Sequence, residues 1–155
     1  MAAVTTETDH RDEIVLPALL RAARGAYGRA IRRSLAAAGF DDLPANAPFV
    51  LGGMANRGSF AADLIVALGI SKQAASQLID VLVLRGYLER EVHPDDRRRM
   101  TIGLTERGKA AGAAVRAGVE AVDAGLASRL SPADLAGLRR GLQTLADIGG
   151  GSGEE

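Results

Sequence analysis

"SKQAASQLIDVLVLRGYLEREVHPDDRRRMTIGL", residues 71–104, changes its periodicity halfway. Ser71 is a residue type that caps helices by accepting an orphan backbone N–H. Behind it Ala74, Leu78, Val81, Leu82 and Val83 recur as the inward side of a helix running to Arg85, where Gly86 ends it. The second half alternates instead. Residues 87–92 and 100–104 read as two strands joined by an Asp-rich turn, with Arg97, Arg98 and Arg99 leaving that turn in succession. A helix followed at once by an arginine-bearing hairpin is the pattern to explain.

Working upstream, Ile70 joins the same apolar side, and Gly69 separates the helix from a preceding segment, residues 60–68, that Ser59 is placed to cap. A further segment, about residues 47–55, carries Phe49, Val50, Leu51 and Met54 and is broken by Asn56-Arg57-Gly58. Gly52-Gly53 lacks the spacing of a nucleotide loop and reads as a loose or bent part of this helix. Helix, glycine turn, helix is a helix-turn-helix, and with a hairpin after it the arrangement is a winged helix-turn-helix.

Long helices flank this lobe. Residues 12–38 place Leu16, Leu19, Leu20, Ala23, Tyr27, Ile31 and Leu35 at steps of three or four, with Gly39 as C-cap. Gly25 and Gly28 each cost about 1 kcal/mol against Ala inside a helix, so close packing is expected there. After the hairpin, Thr105 caps a helix to about residue 128 with Val115, Val119, Val122 and Leu126 in register. Ser131-Pro132 opens a last helix carrying Leu135, Leu138, Leu142 and Leu145. Such narrow seams pack against other helices. The fold class is mainly α with a small β-hairpin wing: a winged helix-turn-helix lobe at about 47–105 plus a helical dimerisation region at about 12–38 and 106–147. Residues 12–147 form one domain between a disordered 1–11 and a flexible tail at 148–155.

Composition narrows the function. The 155 residues include 19 basic and 19 acidic side chains and no cysteine. Thiol catalysis, disulfides, thiol redox sensing and Cys-based zinc sites are therefore excluded. His10 and His93 alone do not suggest a metal site. No nucleophile–base set stands out, so no catalytic residue, enzyme activity, metal or cofactor is expected. No apolar run approaches the roughly 20 residues of a membrane span, and no signal-peptide pattern opens the chain. A soluble cytoplasmic protein without a membrane partner is the expectation. Five arginines and no acid occupy residues 21–33.

The wing, with the start of the helix behind it, resembles the MarR family of bacterial transcription regulators. The resemblance rests on Asp96-Arg97-Arg98 of the wing, on Leu104-Thr105-x-x-Gly108, and on Arg85-Gly86-Tyr87 leading into the first strand. The flanking helices match the family's dimerisation helices in order and length, extending the likeness to about residues 12–147. The family implies double-stranded DNA as partner, a homodimer, and an effector-responsive repressor on a pseudo-palindromic operator. It also implies that Arg98 enters the minor groove and that Asp96 holds its direction. Arginine suits a narrow A·T groove because it is weakly hydrated and the groove concentrates negative potential. Arg97 and Arg99 alternate away toward phosphates. Ser71, Lys72, Gln73, Ser76 and Gln77 occupy the first turns of the recognition helix, the part that meets base edges in this docking mode.

Many family members carry arginine at the positions of Gln77 and Val81, and this chain has neither. That shifts weight to the wing and to DNA shape, or to a different site. The alternative use of the fold is a protein-protein module without DNA reading, against which the Arg97–Arg99 run argues. Family members also bind small aromatic or anionic effectors in a cleft between dimer helices and DNA lobe. Arg24, Tyr27 and Arg29 are the candidates here to hold a carboxylate.

Overall fold

The computed structural model describes residues 15–57, 69–93 and 96–150, with the side chains of 57, 93, 96–100, 149 and 150 outside that description. In chain order the elements are α1 (Leu16–Ala37), α2 (Ala47–Arg57), α3 (Lys72–Leu84), β1 (Leu88–His93), β2 (Asp96–Leu104), α4 (Glu106–Ala127) and α5 (Pro132–Gly150). The segment expected at 60–68 with its Ser59 cap, and the terminal 1–11 and 151–155, lie outside the described residues.

Local chemistry sets the helix ends. Ser71 Oγ accepts from the Ala74 N–H at 3.1 Å, Thr105 Oγ1 from Gly108 at 3.0 Å, and Ser131 Oγ from Asp134 at 3.1 Å. Each satisfies one donor that the helix itself cannot. Gly39 and Gly86 leave α1 and α3 at φ of +81° and +73°, the left-handed conformation that an L side chain resists. Two boundaries differ from the sequence expectation. α1 starts at Leu16, with Pro17 in its first turn, where a missing N–H costs nothing. α5 runs through Ile148 to Gly150, into the expected tail, since glycine weakens a helix interior without forbidding it.

The hairpin departs further. β1 and β2 pair antiparallel from Leu88↔Leu104 to Val92↔Met100, and the next pair is His93↔Asp96. Strand β2 therefore begins at Asp96 and not at residue 100, and Arg97–Arg99 lie between two consecutive pairs, opposite the single step from Val92 to His93. A bulge of this kind bends the strand and increases its twist. Apolar alternation could not reveal it, because the residues involved are charged.

The core gathers Leu35 from α1, Val50, Leu51 and Met54 from α2, Leu82 from α3, Tyr87 and Leu88 at the hairpin root, and Ala111, Ala114 and Val115 from α4. Among the inward residues expected on α3, Leu82 is fully buried, and Ala74, Leu78, Val81 and Val83 are partly so. Small residues on α4 permit the close helix crossings. A Cβ at Gly118 would stand 2.6 Å from Ile31 Cα of α1, and one at Gly112 would stand 2.9 Å from Ala55 Cβ of α2. Gly52 of α2 meets Val115 in the same way, at 2.9 Å. The close packing expected at Gly25 and Gly28 is not found. A Cβ at either would meet only a guanidinium of its own helix, Arg29 at 3.2 Å or Arg32 at 3.3 Å. Sequence shows which helices carry glycine, not which glycines face a crossing.

The seam on α5 stays open: Leu138, Leu142, Leu145 and Ile148 are exposed, as are Val15, Leu16, Leu19 and Leu20 at the start of α1.

The glycines divide into two classes with opposite expected effects. At Gly108 a Cβ would stand 2.0 Å from the Tyr87 carbonyl oxygen, a backbone atom that cannot move aside cheaply. Gly108→Ala should destabilise by about 1–3 kcal/mol, the usual range for overpacking. At Gly125 the only contact is the end of the Arg129 side chain at 3.4 Å. Gly125→Ala should stabilise by up to about 1 kcal/mol. Urea midpoints of the two variants check both signs.

Candidate nucleic-acid interface and an adjoining cleft

The cap at Ser71 fixes where α3 begins, and the spacing of its apolar residues fixes which side faces out. Ala75 and Leu82 are buried, while Lys72, Gln73, Ser76 and Gln77 are exposed. Positions 72, 73, 76 and 77 share one helix face. The structure thus brings four of the five expected reading residues onto one exposed face, and Ser71 stands at its N-terminal edge with its oxygen engaged in the cap. One turn further on, Asp80 ion-pairs with Arg90 of β1 at 2.5 Å. Neither residue figured in the sequence reading. Asp80 is the sole acid of α3, so the pairing offsets the one carboxylate that would repel a phosphate. Both partners are about half exposed, and such a pair contributes about 0–1 kcal/mol. Its effect is on charge and on the angle between helix and wing.

On the wing, the backbone of Arg97–Arg99 forms the bulge described above. The side chains of Asp96, Arg97, Arg98 and Arg99, and with them the expected pairing of Asp96 with Arg98, lie outside the described residues. The root of the wing is well defined. Thr105 Oγ1 donates to the Gly86 carbonyl at 2.6 Å and lies 3.1 Å from that of Tyr87, whose carbonyl also accepts from the Thr105 N–H at 3.2 Å. This gives the Leu104-Thr105-x-x-Gly108 signature a physical account. The threonine caps α4 and ties the two strand roots, and Gly108 lets α4 pass directly over the Tyr87 carbonyl.

A second group at this root was not anticipated. The Tyr87 ring is fully buried, and its hydroxyl donates to Asp42 in the connector after α1. Arg107, in the first turn of α4, reaches both Asp42 oxygens at 3.1 and 3.3 Å, the Tyr87 hydroxyl oxygen at 3.0 Å and the Arg85 carbonyl at 2.8 Å. Its guanidinium carbon lies 4.3 Å from the Tyr87 ring centroid, and Phe40 meets the same ring edge-on at 6.0 Å. The Tyr87 hydrogen bond and the Arg107 charge hold the Asp42 carboxyl below its ordinary range. Burial and the Asp42 hydrogen bond push the Tyr87 phenol up.

Beside this group lies an open cleft of about 1300 Å³ between α1, the α1–α2 connector, α2 and α4. Its floor is apolar, with Ile31, Leu35, Phe40, Phe49, Val115 and Val119, and Arg21, Arg24 and Arg32 stand on its α1 side. Of the three residues expected at an effector site, Arg24 and Tyr27 line it and Arg29 does not. At 3.6 residues per turn Arg29 lies about 140° around α1 from Arg24, whereas Arg21 and Arg32 lie within about 80°. The Tyr27 hydroxyl is already engaged, donating to Asp123 of α4 at 2.5 Å. Among the described residues there is no group of three His, Asp or Glu able to hold a metal ion, and no helix long and apolar enough to cross a membrane.

The Tyr27 hydroxyl is pushed up to about 12, first by its hydrogen bond to Asp123 and then by burial. A raised phenol pKa favours the neutral form in the folded state. The stabilisation is therefore complete below pH 10 and is lost as pH rises toward 12. In an ultraviolet titration of the chain's two tyrosines, both should ionise above 10, and Asp123→Asn should bring the Tyr27 step down while leaving that of Tyr87 in place.

The comparisons with known proteins agree with this geometry. The model of the MarR family matches residues 41–99. RV1404 from Mycobacterium tuberculosis is 26% identical at a TM-score of 0.61, over 86% of this chain and 90% of that one. The S. aureus MepR–DNA complex is 21% identical at a TM-score of 0.68, over 87% and 98%. S. aureus MepR bound to ethidium bromide is 21% identical at a TM-score of 0.56, over 88% and 98%. No curated protein matches the sequence. Residues 41–99 thus match the model of the MarR family, and over most of its length the chain shares the winged-helix fold of these solved structures.

Proposed function

We propose that the protein is a sequence-specific DNA-binding transcription regulator, an effector-responsive repressor that works as a homodimer on a pseudo-palindromic operator. The observation that carries this reading is the exposed face of Lys72, Gln73, Ser76 and Gln77 beside a hairpin whose bulge holds three arginines. Glutamine can bond adenine through both its amide atoms, and lysine and serine can take bases or phosphates. MepR, which shares the fold, was solved with DNA and with ethidium. The exposed leucines of α5 and of the start of α1 support a second copy as partner. Two recognition helices related by a two-fold axis read half-sites roughly 34–36 Å apart. The cleft supports the effector: its apolar floor and its arginines suit a small aromatic anion, with Arg24 toward the charge. Such a ligand releases DNA by favouring one spacing of the lobes over another.

The test is binding of the DNA upstream of its own gene and of random DNA at several salt concentrations. Gln73→Ala and Gln77→Ala should each relax base preference by about 1–3 kcal/mol of discrimination and leave affinity for random DNA nearly unchanged. Arg98→Ala should lose most on sites with a narrow A·T-rich flank, and Arg98→Lys should restore only part, since an ammonium is more strongly hydrated and has no planar fork. Arg97→Ala and Arg99→Ala, as phosphate contacts, should weaken all sequences alike and reduce the salt slope by about one unit per contact. An Arg98→Ala protein that binds both DNAs as wild type does would remove the wing from the reading.

Dimerisation has its own check. Leu142→Asp sets a carboxylate on the open α5 seam, harmless in a monomer and costing several kcal/mol once buried in an interface. Sedimentation should show wild type as a dimer and the variant shifted to monomer.

A further inference from the structure

The connector between α1 and α2 belongs to two places at once. Phe40, Asp41, Leu43 and Pro44 wall the cleft, while Asp42, between them, is bonded to Tyr87 and Arg107 at the wing root. Phe40 serves both, lining the cleft and meeting the Tyr87 ring. Pro44 fixes one backbone angle and limits how the segment can bend on its own. From Tyr87 the chain enters β1 directly, and the Tyr87 carbonyl is tied to Thr105 at the end of β2. A shift of the connector therefore reaches both roots of the hairpin through the Tyr87 ring alone, at the edge of the core.

We infer that Asp42 is a positioning residue, the tie through which occupancy of the cleft sets the wing. The inference rests on the reading of the cleft as an effector site. The pair is built to open and close. The Arg107 and Asp42 side chains are 46% and 38% exposed, so water can replace either partner. When Asp42 leaves, Arg107 keeps the Arg85 carbonyl and the face of Tyr87, and no guanidinium is left unpaired. A ligand that displaces the connector binds the open state better than the closed one, which is the differential affinity a switch requires.

The probe is 1-anilinonaphthalene-8-sulfonate, a fluorescent aromatic anion of the class the cleft fits. Its binding is followed by fluorescence, and hydrogen exchange of residues 88–93 and 101–104 is followed by mass spectrometry. These are measured on the full chain for wild type, Asp42→Ala and Arg107→Gln. In wild type the probe should bind saturably and change exchange at the wing roots. Both variants should still bind it, with wing exchange no longer responding. If the wing responds in the variants as in wild type, or fails to respond in wild type although the probe binds, the tie is overturned and the cleft reading stands. If the probe does not bind, or binds a double variant Arg24→Ala/Arg32→Ala as well as wild type, the cleft reading fails and the tie falls with it. Both single variants alter half-exposed side chains, and circular dichroism of each shows that the fold is kept.

Discussion

The buried ring of Tyr87 is the point on which the lobe depends. It joins the end of α3 to the start of β1, touches Phe40 from the connector, and receives Arg107 from α4 on its face. A phenol at 0% exposure needs a partner for its hydroxyl. Asp42 supplies it, and Arg107 then compensates the carboxylate. The contacts form a chain: the acid serves the hydroxyl of the buried ring, and the guanidinium serves both. Their result is that, while the acid is in place, a segment leaving α1, a wing root and the first turn of α4 have one mutual arrangement. Apolar contacts alone would have allowed several, being non-directional.

α4 is the second constraint. At 1.5 Å per residue its 22 residues span about 33 Å. Along that length it meets the wing root at Gly108, α2 at Gly112, α1 at Gly118 and the Tyr27 hydroxyl at Asp123. Glycine inside a helix costs about 1 kcal/mol relative to alanine. Here the cost is offset by bringing helix backbones so close to Ala55, Leu51 and Ile31 that a Cβ would find no room. One rod thus connects the wing end of the lobe with the helices whose apolar faces stand open.

What was legible in the sequence was whatever local chemistry decides. Ser71, Thr105 and Ser131 announced their helices because capping needs only the residues beside them, and Gly39 and Gly86 ended theirs for the same reason. The hairpin's existence followed from alternation, and the exposed face of α3 from its cap and the spacing of its apolar residues. What escaped notice depends on neighbours distant in sequence. The bulge at Arg97–Arg99 is a property of pairing with β1. Asp80 with Arg90 and Asp42 with Arg107 are ordinary surface charges until the fold brings them together. The wing signature signalled Thr105 and Gly108 without saying that they serve the Tyr87 carbonyl. Arg24 and Arg29 are near in sequence, but the 100° helical step puts only Arg24 on the cleft.

The two kinds of contact around α4 divide rigidity from compliance. Crossings at Gly112 and Gly118 are backbone-close, and packed interiors of that density have discrete arrangements and do not deform smoothly. At Gly118 there is no room even for a Cβ beside Ile31 Cα, so α1 and α4 cannot approach further there. The connector carrying Asp42 has no such crossing: its side-chain polar ties are one hydrogen bond from a phenol and a half-exposed ion pair, and Phe40 and Leu43 pack against the margin of the core. Water can stand in for the polar ties but not for a buried helix crossing. A rearrangement that keeps these crossings can therefore be taken up in the connector, which is also the wall of the cleft and the neighbour of the wing root.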